Sequence, residues 1–85
     1  MTVTPELVEA VIAAIAFVDP AAGSRARAES RIAADLGLDN LARVHLALEL
    51  EDRCTVPLPE REVLDWETVA DIAEGIARLQ PKAAA

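Results

Sequence analysis

The sequence predicts an all-α protein, a small four-helix bundle of three main helices and one short one. Three observations point there. Apolar residues recur at helical spacing in three separate stretches, helix-start signals precede them, and no segment alternates apolar and polar residues as a half-buried strand would. The 85 residues suffice for one small domain, read as residues 1–80 with a disordered tail over 81–85. Apolar residues form 53% of the chain, yet Phe17 and Trp66 are its only aromatics. Alanine supplies much of the count, so the expected core comes from thin, closely packed helices rather than large rings.

Thr4-Pro5-Glu6 reads as a helix start, with a capping hydroxyl, proline at the first position and an acid in the first turn. Leu7, Val8, Val11, Ile12 and Ile15 then repeat on one face of a first helix ending near Val18. Asp19-Pro20 and Gly23 break it, and from there to Ser30 the chain reads as a long surface loop. Ile32 and Leu36 are expected to anchor the end of this loop, Gly37 to supply a turn, and Leu38 to add an apolar contact. Asp39-Asn40 opens the second main helix, and either residue suits the cap. Its predicted buried stripe is Leu41, Val44, Leu48 and Ala47, widened by Leu46 and Leu50. Asp39 with Arg43, and Glu49 with Arg53, stand four apart as weak surface pairs. A short helix is expected from Pro59 through Leu64. Thr68 then begins the last one, with Val69, Ile72, Ala73, Ile76 and Leu79 on one face and Asp71 answering the threonine cap.

Several functions are excluded by what the chain lacks. Its formal net charge of −7 leaves no basic patch to neutralise phosphates, so no nucleic acid is expected as a partner. The longest apolar run, Ala10 to Val18, is nine residues, and no membrane span or export signal is expected. A lone cysteine, Cys54, fits a cytoplasmic location. His45 and Cys54 are the only candidate nucleophile and base. They stand nine residues apart on one helix, about 13.5 Å along its axis and on opposite faces, so no catalytic dyad is expected. The acidic groups Asp35 with Asp39, and Glu49 with Glu51 and Asp52, make poor metal sites without histidine or a dense carboxylate cage.

The run Asp35-Leu36-Gly37-Leu38-Asp39-Asn40-Leu41-Ala42-Arg43-Val44-His45-Leu46 resembles the signature of the acyl carrier proteins, a Leu-Gly-x-Asp-Ser-Leu segment followed two residues later by Val-Glu-Leu. The likeness extends through Leu48-Glu49-Leu50-Glu51-Asp52-Arg53, Val56-Pro57-Leu58-Pro59 and Thr68-Val69-Ala70-Asp71-Ile72, and covers roughly Glu6 to Leu79. It implies a small carrier fold and a family cofactor, 4′-phosphopantetheine, esterified to the motif serine and holding an acyl chain as a thioester. It also implies docking on acyl-chain-processing enzymes through basic surfaces, as a monomer, with Leu41 and Val44 bordering a groove for the acyl chain.

The resemblance fails at the attachment position. Asn40 stands where the serine belongs, and a carboxamide offers no comparable nucleophilic oxygen, so no cofactor is expected on this chain. Two readings stay open. One is a diverged carrier that works by docking, with Asn40 retained as a helix cap. The other is an ordinary carrier whose attachment serine has been substituted. On either reading Asp39, Leu41, Val44, His45, Glu49, Glu51 and Asp52 are the expected docking residues. Ala42, Arg43 and His45 thin the acidity beside Asn40, and His45 replaces the usual glutamate.

Overall fold

The computed structural model describes residues 4–79, and its regular elements are five helices: α1 (Pro5–Val18), α2 (Pro20–Arg25), α3 (Asn40–Cys54), α4 (Glu60–Asp65) and α5 (Val69–Leu79). The tail expected over 81–85 lies outside the described residues. The all-helical expectation holds. No helix among the described residues is long and apolar enough to cross a membrane.

Thr4 begins α1 as predicted, its hydroxyl oxygen accepting from the Leu7 amide at 3.1 Å. Val11, Ala14 and Ile15 are buried, and Leu7, Val8 and Ile12 pack against them. The expected long loop is not all loop, because α2 occupies its first part. Asp19 closes one helix and opens the next. Its amide donates to the Ile15 carbonyl at 2.7 Å, while its carboxylate accepts from Ala21 and Ala22 at 3.1 and 3.3 Å. Proline directly after such a cap is a start signal as well as a stop signal. Nor does Gly23 break the helix. It is buried within α2, and a Cβ there would overlap Ala16, so the missing side chain lets α2 lie against α1.

Beyond α2, the segment to Asp39 is a strap fastened to the body of the protein. Ile32, Leu36 and Leu38 are buried as predicted. The Ile32 amide donates to the Glu67 carbonyl at 2.8 Å, and Val69 and Ala70 donate back to Ser30 and Ala28 at 3.0 and 2.8 Å. Gly37, at φ +70°, makes the predicted turn in a region that side-chain-bearing residues rarely adopt. The cap of α5 is also as read. Asp71 donates its amide to the Thr68 hydroxyl at 3.1 Å, and its carboxylate accepts from the Thr68 amide at 3.0 Å.

The two aromatics part company. Trp66 is 2% exposed and is the largest side chain in the core, whereas Phe17 is 69% exposed. The core is therefore not built from small residues alone. One indole fills the junction between α4 and α5, its Nε1 donating to Glu62 at 3.4 Å.

Candidate functional site

The site is built at the start of α3 and along the side of that helix facing α4. Asp39 has an extended backbone, φ −83° and ψ −175°, and its carboxylate accepts from the Ala42 amide at 2.9 Å. Asp39 is thus the cap, and Asn40 is the first helical residue. The expectation that Asn40 was retained for capping is overturned. A residue already inside the first turn does not face the free amides that a cap satisfies. Asn40 is exposed and takes no part in this cap.

The buried stripe of α3 is also corrected. Leu41, Val44 and Leu48 are 64%, 46% and 60% exposed, while Leu46, Ala47 and Leu50 face the core. Residues 43, 46, 47, 50 and 54 share the inward side, a spacing of i, i+3, i+4, i+7 and i+11. Both this set and the predicted one have helical periodicity, so periodicity alone did not choose between them. Cys54 sits half-buried at the end of the inward side, and burial pushes its thiol pKa up, away from the reactive thiolate.

Arg43 belongs to the inward set too. In place of the expected pair with Asp39, its Nη1 donates to the carbonyls of Trp66 at 2.7 Å, Val63 at 3.2 Å and Leu64 at 3.5 Å. These are carbonyls at and just beyond the end of α4, where intrahelical donors run out, although that of Val63 also accepts from the Trp66 amide at 3.4 Å. The position of Arg43 at the head of the inward stripe was the signal that could have revealed this role.

The expected docking residues do not share one face. At about 100° per residue, Leu41, His45, Leu48 and Asp52 fall together on the open side of α3, with Val44 next to them. Glu49 is turned away and pairs with Arg53 at 2.6 Å, as predicted. Glu51 points towards the connection into α4, where its carboxylate accepts from the Leu58 amide at 2.7 Å. Asp39 is occupied as the cap. His45 and Cys54 lie on one helix at the separation expected, with no geometry for a dyad. Among the described residues no three of His, Cys, Asp or Glu gather as metal donors.

A groove of about 580 Å³ runs between α3 and α4. Asn40 and Val44 line one stretch, and Leu48, Leu58, Val63 and Leu64 supply further apolar wall. Val44 borders it as expected. Leu41 does not, and instead lines a separate depression of about 370 Å³ with His45 and Pro20.

The side chains at the start of α3 do not fit a phosphopantetheine ester. Asp39, Asn40, Leu41 and Ala42 carry no hydroxyl. The two serines lie elsewhere. Ser24 sits on α2 and donates to the Ala21 carbonyl at 2.9 Å, and Ser30 is buried, its hydroxyl oxygen accepting from the Arg27 amide at 2.9 Å.

Residues 9–76 match the PP-binding family, described as a phosphopantetheine attachment site. The chain is 37% identical over 57 residues to a probable acyl carrier protein of Caulobacter vibrioides, covering 67% of this chain and 66% of that protein. It is 39% identical over 54 residues to the acyl carrier protein MbtL of Mycolicibacterium paratuberculosis, covering 64% and 61% respectively. Against an acyl carrier protein of Campylobacter curvus the figures are 37% over 62 residues, 73% and 77%. The chain thus spans roughly two thirds of the length of these relatives.

Proposed function

The chain belongs to the phosphopantetheine-attachment family, and from that premise we propose that it is an acyl-carrier-like module that acts by docking, without phosphopantetheine on Asn40. The observation that carries this reading is the exposed amide of Asn40 on the first residue of α3, beside an intact Asp39 cap. The helix start keeps its form and lacks a nucleophilic oxygen.

The open side of α3 supports the docking half of the proposal. Leu41 and Leu48 are exposed there beside His45 and Asp52, with Val44 at the margin. An apolar centre rimmed by polar groups is the usual anatomy of a recognition surface. Glu49 and Glu51, engaged within the molecule, contribute to the negative field more than to direct contacts, and a net charge of −7 favours partners with basic surfaces. The partners we assign are acyl-chain-processing enzymes of fatty acid or polyketide type, met by a monomer in the cytoplasm. The module itself is not an enzyme.

Incubation of the chain with coenzyme A and a broad-specificity phosphopantetheinyl transferase tests the proposal by intact mass. An unchanged mass is the expected result. A gain of one phosphopantetheine would overturn it.

A further inference from the structure

Helix α4 is six residues long, and no side chain caps its start at Pro59. A helix this short has little stability of its own. Two polar side chains of α3 fasten it, one near each end. Glu51 accepts from the Leu58 amide, just before α4, at 2.7 Å. Arg43 donates to the carbonyls of Val63, Leu64 and Trp66, at and just beyond its end. The two anchors stand eight residues apart on α3, about 12 Å along the axis, which matches two attachment points rather than one. Between them lies the groove, with Val63 and Leu64 on the α4 side and Val44 and Leu48 on the α3 side.

We infer that Arg43 and Glu51 are positioning residues, a two-point clamp that holds α4 on α3 and sets the aperture of the groove between them. Arg43 is the stronger anchor. Its bonds are charge-assisted, it is half-buried, and one guanidinium satisfies several carbonyls at once. The contact of α4 with α5 through Glu62 and Arg78 is a more exposed pair at 3.0 Å, so it restrains α4 less. Loss of Arg43 frees the end of α4 to lift while the other helices stay packed. The inference concerns the clamp alone and stands whether or not Asn40 accepts a cofactor.

Trp66 reports on it directly, being the only tryptophan, buried, and an acceptor of the Arg43 bond through its own carbonyl. The test measures acrylamide quenching of Trp66 and amide hydrogen exchange by NMR in the wild type, Arg43→Ala, Arg43→Lys and Arg53→Ala. For Arg43→Ala, exchange at Val63 and Trp66 is expected to quicken about tenfold, with easier quenching, while buried amides of α1 and α5 keep their wild-type rates. Arg43→Lys retains charge and reach but not the fork, and is expected to fall between. Arg53→Ala, on another side of α3, is expected to leave α4 unchanged. If Arg43→Ala does not fold, Arg43→Lys carries the same comparison. Wild-type exchange in α4 of the folded variants, or an equal acceleration in every helix, would overturn the clamp.

Discussion

Leu46 and Leu48 stand two residues apart on α3, yet one is fully buried and the other 60% exposed. The first belongs with Ala47 and Leu50 on a face that holds the helix in the bundle. The second belongs with Leu41 on a face that the described residues leave uncovered. Burial of a leucine contributes roughly 1.5–3 kcal/mol, a gain that the open face does not draw from folding. The difference separates two placements of the same residue type: the inward set stabilises this molecule, and the outward set is the one we propose for docking.

Leu46→Ala attacks that division most strongly. It is expected to lower the unfolding free energy by about 2–5 kcal/mol in urea denaturation, and a change below about 1 kcal/mol would break the comparison. Asp39→Ala comes next. Loss of the cap is expected to cost about 1 kcal/mol, with Asn40→Ala changing stability by less than about 0.5 kcal/mol, as measured in the same denaturation series. Equal effects at the two positions would return a structural role to Asn40. Leu48→Ala is expected to stay within about 0.5 kcal/mol of the wild type, which calorimetry or denaturation can check.

The smallest expected effect is electrostatic. The Asp35 carboxylate accepts from the Arg31 amide at 2.8 Å, and that bond chiefly holds its pKa below the ordinary aspartate value. A depressed folded-state pKa gives a contribution present above the unfolded value and lost as pH falls through the folded one. An NMR titration of the Asp35 carboxyl should therefore find its midpoint below that of an aspartate in an unstructured peptide. A midpoint at or above that reference would contradict the bond.

Much of the fold was legible because local signals and tertiary outcome agree. Thr4-Pro5, the Thr68 and Asp71 reciprocal cap, Gly37 and the anchors Ile32 and Leu36 each behave as their residue types require. What escaped the sequence needed packing to decide it. Asp19-Pro20 is consistent with both a break and a start, and only the seat of Gly23 on Ala16 shows the second helix. Helix α3 carries two apolar sets with helical spacing, and the side that turns inward is fixed by its contacts with its neighbours. Asp39 and Asn40 are both good caps by type, and the backbone between Gly37 and Ala42 selects Asp39. Arg43 was read as a surface charge because its carbonyl partners lie twenty or more residues away. The sequence reading put the candidate site at Asn40, and the structure sets that residue exposed at the first position of α3, while the charges and apolar residues around it divide among a cap, a groove and an open face.

The proposal rests on a helix start capped by Asp39 that offers no nucleophilic oxygen at Asn40, and on that missing oxygen being what prevents loading. Side-by-side loading of the wild type and Asn40→Ser by the same transferase, with tandem mass spectrometry to locate any modification, tests it most directly. The expected result is one phosphopantetheine on the substituted residue 40 and none anywhere on the wild type. Modification of the wild type, or a folded Asn40→Ser chain that takes up no group, would contradict it.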